Sequence, residues 1–124
     1  LEGRVVLLVE DEDAVRAIVA DTLLRHGLRV LPAENGQQAL DLVKAHSGEI
    51  DLVLTDVVMP GLSGPQLVEA LRQQNPHLRA LYMSGYAHDA LDDALLMQQG
   101  IAVLQKPFTP TALILRVRTA LGID

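Results

Sequence analysis

Cysteine and tryptophan are absent from this 124-residue sequence, and its aromatic residues amount to one Phe and two Tyr. The first absence excludes disulfides, thiol nucleophiles and thiolate metal sites together, and is compatible with a reducing compartment. The scarcity of rings leaves a core to be built from aliphatic side chains. Basic residues are outnumbered, ten Lys and Arg against sixteen Asp and Glu, for a net charge of -6. With no basic stretch, a nucleic-acid or anionic-membrane surface is excluded as the direct partner. No apolar run approaches the roughly 20 residues of a membrane span. What remains is an ordinary globular composition, 49% hydrophobic and 21% charged, at a length that suits one domain. Such an acidic module is suited to cations or protein partners.

Two continuous apolar runs end in acids. Val5–Val9 leads into Glu10-Asp11-Glu12-Asp13, and Leu52–Leu54 leads through Thr55 to Asp56, ahead of Pro60 and Gly61. Continuous rather than alternating apolarity is the pattern of a strand buried on both faces. Around these runs, helical and strand-like stretches alternate. Ala14–Leu24 has helical spacing, with Val15, Ile18, Val19, Thr22 and Leu23 as its inner stripe. Arg29–Ala33 is a shorter strand whose Pro32 marks it as an edge, and after an Asn35-Gly36 turn Gln38–Ala45 is a second helix. Ser63 caps a third, with Pro65 in its first turn and Leu67, Val68 and Leu71 inward. Leu78–Met83 is a strand stopped by Ser84-Gly85, Ala90–Gln99 a fourth helix, and Ile101–Leu104 a fifth strand. Thr109 caps a last helix with Pro110 at its start and Leu113, Ile114, Val117 and Leu121 inward.

This fivefold βα alternation predicts a flavodoxin-like three-layer α/β sandwich, a five-stranded parallel sheet in the order 2-1-3-4-5 with five helices. In that order the first and third strands are neighbours, so Glu10, Asp11 and Asp56 converge in one crevice. Ser84 from the fourth strand end and Lys106 from the fifth share its rim. Each has an ordinary explanation alone: Asp11 to Asp13 as helix-capping acids, Asp56 as an Asx-turn residue, Ser84 as a turn former, Lys106 as a snorkelling surface lysine. Their arrival at strand carboxyl ends outweighs these. Crowded carboxylates call for protons or a cation, and an all-oxygen set favours magnesium over zinc. With a lysine and a hydroxyl beside it, the rim reads as a phosphoryl site with Asp56 as the nucleophile of an in-line transfer. His26, His46, His77 and His88 lack ligand spacing and read as helix-end or loop residues. Met59, Met83 and Met97 read as core or loop filler.

Four blocks carry a family resemblance: Val9-Glu-Asp-Glu-Asp13, Thr55-Asp-Val-Val-Met-Pro-Gly-Leu-Ser-Gly64, Met83-Ser-Gly85 and Gln105-Lys-Pro-Phe108. In order and separation, over essentially the whole chain, they resemble response-regulator receiver domains of two-component signalling. The resemblance implies one receiver domain over residues 1–124, cytoplasmic, that takes a phosphoryl group from a histidine kinase or histidine phosphotransfer domain onto Asp56 and switches conformation. It implies Mg2+ held by Asp11 directly, by Glu10 through water, by Asp56 and by the backbone carbonyl of Val58. Ser84 is then the switch hydroxyl, Lys106 its ion-pair partner, and the Lys106-Pro107 bond is expected cis. No turnover beyond self-phosphorylation and autodephosphorylation is expected. The family's usual aromatic switch position on the fifth strand is Val103 here, and Tyr86 is expected to shield the phosphoryl group or gate that face instead. A weak homodimer through the fourth helix, fifth strand and last helix is expected by analogy.

The Ser84-Gly-Tyr-Ala87 block and the Leu104–Phe108 ending also resemble receivers fused to the C-terminus of hybrid sensor histidine kinases. Since the sequence opens Leu1-Glu2-Gly3, a piece of such a kinase is the expected origin, with a free-standing single-domain regulator as the alternative. Rival functions fare worse. A haloacid-dehalogenase-like phosphatase wants a second acid where Val58 stands. A nucleotide or flavin module wants a glycine-rich loop where Glu10 to Asp13 would repel phosphate. A pseudo-receiver that only docks has no need of the intact acid, hydroxyl and lysine set.

Overall fold

The computed structural model describes residues 2–46, 48–85 and 102–123. Five parallel strands form its centre: β1 (Val5–Val9), β2 (Arg29–Ala33), β3 (Leu52–Asp56), β4 (Arg79–Ser84) and β5 (Ala102–Gln105). They lie in the order β2-β1-β3-β4-β5, as the alternation predicts, with Pro32 on the edge strand. Register pairs Val9 with Thr55 and Asp56 with Met83, so the carboxyl ends of β1, β3 and β4 finish level with one another. Helices α1 (Asp13–Arg25), α2 (Gly36–Ala45), α3 (Gly64–Arg72) and α4 (Pro110–Ala120) cover the two faces. The helix expected over Ala90–Gln99 lies outside the described residues, as do Tyr86, His88 and Met97.

Strand pleat explains the unbroken apolar runs. Successive side chains point to opposite faces, and both faces are covered. Val6, Leu8, Leu52, Leu54, Leu81 and Met83 pack with Val19 and Leu23 of α1 and Leu113 and Val117 of α4. Leu7, Val9, Val53, Tyr82 and Val103 pack with Ala39 of α2 and Leu67, Val68 and Leu71 of α3. All five residues of β1 and of β3 are buried. Asp56 is therefore the last residue of a buried strand, not a turn residue.

Helix starts follow the local chemistry with one exception. Ser63 accepts from the Gln66 backbone while the Gln66 side chain accepts from Ser63, a reciprocal cap, and Thr109 accepts from Ala112. Asn35, expected in a turn, caps α2 instead, which starts at Gly36 rather than Gln38. The acids before α1 do not cap it: Glu12 holds the N-cap position without a side-chain hydrogen bond. Ile18, expected on the inner stripe of α1, is 65% exposed. The inner face of α1 is narrower than its apolar periodicity, because only Val19, Thr22 and Leu23 are buried.

Candidate functional site at the carboxyl edge of the sheet

Four strand ends deliver the site. Glu10 follows β1 and is fully buried, Asp56 ends β3 and is 5% exposed, Ser84 ends β4 and is buried, and Lys106 follows β5. Glu10 is tethered from every side: its N–H donates to the Ala33 carbonyl (3.1 Å), one carboxylate oxygen accepts from the Glu12 N–H (3.1 Å) and the other from Lys106 Nζ (2.5 Å). Lys106 Nζ also lies 2.8 Å from Asp56 Oδ1. Its side chain is only 15% exposed, so it is no snorkelling surface lysine. Its own N–H donates to the Ser84 carbonyl at 2.7 Å, tying the fourth and fifth strand ends together. The Lys106-Pro107 peptide is cis, as expected.

The charges do not balance. Glu10, Asp11 and Asp56 each offer an oxygen within 4.8 Å of the others, yet Lys106 is the one cation paired with Glu10 and Asp56 among the described residues. Burial, and then the neighbouring Glu10, push the Asp56 carboxyl up to about 8 against the opposing pull of Lys106. Burial also works to raise Glu10, but its hydrogen bonds with Asp56, Lys106 and the Glu12 N–H outweigh that and hold it low. Lys106 is depressed by burial and raised more strongly by its two carboxylate partners. One ammonium cannot neutralise two buried carboxylates, and the deficit favours the protonated form of Asp56. A divalent cation would supply the balancing charge, and oxygen donors without histidine or cysteine match magnesium. Asp11 is the exposed member of the three.

Lys106 thus holds two acids apart from mutual repulsion, and its removal has a pH-dependent consequence. Lys106→Met is expected to lower stability by roughly 3 kcal/mol near pH 8. The loss should be much smaller near pH 5, where both carboxylates can take up protons. Thermal melts of the magnesium-free protein at the two pH values check this, and an equal loss at both would contradict the charge account.

The remaining expected residues fall as follows. Val58, two residues past β3, turns a 65% exposed side chain outward and adds no carboxylate there. Val103 is buried and in register with Tyr82, so the ring on this face stands one strand over, on β4. The described histidines stay out of the site: His26 contacts the Thr22 carbonyl, His46 pairs with Glu49 and His77 is exposed. Met83 is core and Met59 is buried against Thr55. Two further residues bear on the site, Arg16 and Gly64, the latter visible in the sequence only as the last residue of the Thr55–Gly64 block. Arg16 Nη1 donates to the Glu10 carbonyl at 2.8 Å and Nη2 to Asp13 at 2.6 Å. The three-residue spacing from Asp13 to Arg16 was the available signal. Gly64 backs directly onto the Asp56 carbonyl.

Comparison with known proteins agrees with this arrangement. The family described as "Response regulator receiver domain" matches residues 6–118. The chain is 42% identical over 104 residues to the sensor kinase CckA of Brucella abortus, covering 84% of this chain and 11% of that protein. It is 42% identical over 120 residues to the response regulator protein FleR of Pseudomonas aeruginosa, covering 94% of this chain and 24% of that one. It therefore spans a quarter or less of the length of these relatives. Among solved structures, the receiver domain of the hybrid histidine kinase CckA superposes with a TM-score of 0.78 at 33% identity, covering 94% of this chain and 98% of that one.

Proposed function

The chain belongs to the response regulator receiver domain family, the phosphoacceptor modules of two-component signalling, and from that premise we propose that Asp56 is the residue that accepts the phosphoryl group. The observation that carries the reading is Lys106, whose ammonium is held between Glu10 and Asp56 at the buried carboxyl edge of the sheet. Glu10, Asp11, Asp56 and the backbone carbonyl of Val58 would hold Mg2+, with Asp11 as a direct ligand and Glu10 acting through water. Magnesium, when bound, neutralises phosphoryl oxygens and favours ionised Asp56.

The transfer is a displacement at phosphorus. An Asp56 carboxylate oxygen forms the new bond, the phosphorus–nitrogen bond of a donor phosphohistidine breaks, and the imidazole leaves with the electron pair and takes up a proton. Lys106, already beside Asp56 Oδ1, stays with the charge that the phosphoryl group brings. Ser84, buried at the adjoining strand end, offers its hydroxyl to a phosphoryl oxygen and so turns modification into a shift of the β4 end. Val58 leaves no acid to assist hydrolysis, so loss of the phosphoryl group relies on water alone.

Residues 1–124 act as one receiver unit. The likeness to the CckA kinase and its receiver supports a place within a hybrid sensor kinase on the cytoplasmic side over the alternative of a free-standing single-domain regulator. No described helix is long and apolar enough to cross a membrane. Weak self-association would use the helix expected over Ala90–Gln99, the fifth strand and the last helix. Incubation with an autophosphorylated histidine kinase tests the central step: label should move to the chain as an acid-stable, base-labile acyl phosphate. Label retained on the kinase with every donor tried, or a base-stable product, would sink it.

A further inference from the structure

The loop that carries the metal-site acids is itself a problem in charge. Glu10, Asp11, Glu12 and Asp13 follow one another, and four successive carboxylates repel and resist a single geometry. The usual remedy, capping of the following helix, is not used: Glu12 sits at the N-cap without a side-chain hydrogen bond. What closes the loop is Arg16. Its guanidinium donates through Nη1 to the Glu10 carbonyl (2.8 Å) and through Nη2 to the Asp13 carboxylate (2.6 Å), bridging the first and last residues of the acidic run. Asp13 is 86% exposed on its side chain while Arg16 is only 18% exposed, so the arginine lies under the loop rather than out in solvent.

The partner it chooses on Glu10 is informative. Both Glu10 carboxylate oxygens are already engaged, one by Lys106 and one by the Glu12 N–H. Arg16 contacts the main chain instead, so its contribution to the site is the direction of the Glu10–Asp11 peptide. Rotation of that peptide would swing Asp11, the exposed ligand, out of the 4.8 Å cluster it forms with Glu10 and Asp56. A planar fork with two fixed donors suits such a task, which a single ammonium cannot copy.

We infer that Arg16 is a positioning residue for magnesium binding, holding the Glu10–Asp13 loop in the shape that presents Asp11 to the ion. The inference rests on the magnesium reading above. It also opposes simple electrostatics: a cation beside an acidic site should weaken metal binding, so deleting it would tighten binding if charge alone mattered. Outer-shell partners that orient ligands are worth about 10–100-fold in affinity, which exceeds a screened surface charge.

Titration calorimetry of the whole chain with magnesium chloride decides. Arg16→Gln should weaken magnesium binding roughly tenfold, and Arg16→Lys, which keeps the charge but not the fork, should weaken it in the same direction. Asp13→Asn, which loosens one of the two anchors, should show a smaller loss and serves if Arg16→Gln does not fold. Tighter or unchanged binding in Arg16→Gln, or full wild-type affinity in Arg16→Lys, overturns the inference while leaving the site reading intact. Wild-type protein that takes up no magnesium overturns both.

Discussion

Replacing Asp56 by asparagine is expected to abolish phosphoryl uptake and, in the absence of magnesium, to make the fold more stable at pH 8. The two effects share one cause. Asp56 is 5% exposed, beside Glu10, and its carboxyl is pushed up to about 8, against about 3.9 for a free aspartate. Between those values the folded protein binds a proton that the unfolded chain does not. Stability contributed by this group is therefore complete below about pH 4 and is lost as pH rises toward about 8. Asparagine cannot ionise and escapes that loss while still accepting from Lys106. The gain near pH 8 is expected to be on the order of 2–4 kcal/mol and to vanish near pH 4. Denaturant melts of both proteins across this range check the sign, and added magnesium should narrow the gap by stabilising only the wild type. A variant no more stable at pH 8 than at pH 4, relative to wild type, would mean that Asp56 is not strained by its neighbours.

Gly64→Ala is expected to be the most damaging added methyl group among the described glycines. A Cβ at this first residue of α3 would sit 2.1 Å from the Asp56 carbonyl oxygen and 3.2 Å from the Tyr82 ring. The nearest atom is backbone of a buried strand, so no side chain can rotate away. Gly64 also donates its N–H to the Val57 carbonyl at 2.9 Å, which fixes the approach. Relief would require moving either α3 or the end of β3, at a cost of roughly 3 kcal/mol or more, with Asp56 displaced from Lys106 in whatever protein still folds. Thermal unfolding followed by circular dichroism measures the first consequence. A Gly64→Ala protein with wild-type melting temperature would show that the helix gives way freely there.

Much of the site was legible before the fold because the βα repeat does geometric work. Apolar runs over Val5–Val9 and Leu52–Leu54 could only be strands covered on both faces, and in a parallel sheet their ends share one edge. Glu10, Asp56, Ser84 and Lys106 follow from that rule without knowledge of any side-chain conformation. The readings that went astray concern how far a local pattern extends. Ile18 has helical spacing with Val15 and Thr22, but spacing does not report how wide a strip of α1 the sheet covers, and Ile18 falls beyond it. Asn35 before Gly36 looks like a turn pair, yet Asn is equally a helix cap, and here its side chain accepts from Gln38.

Arg16 and Gly64 were missed for a different reason. Each acts on a main-chain carbonyl, that of Glu10 or of Asp56, and carbonyls leave no mark in a sequence. Gly64 could be read as part of a matching block, but its cause is a close approach between the starts of α3 and the end of β3. That approach exists only once the strand and helix are packed.

The most direct measurement for the whole account is the intact mass of the chain after incubation with acetyl phosphate, with and without magnesium. The expected result is a gain of one phosphoryl group that requires magnesium, maps to Asp56 and is absent from the Asp56→Asn protein. No gain in wild type, or an equal gain in Asp56→Asn, would contradict it and leave the chain as a module that only docks.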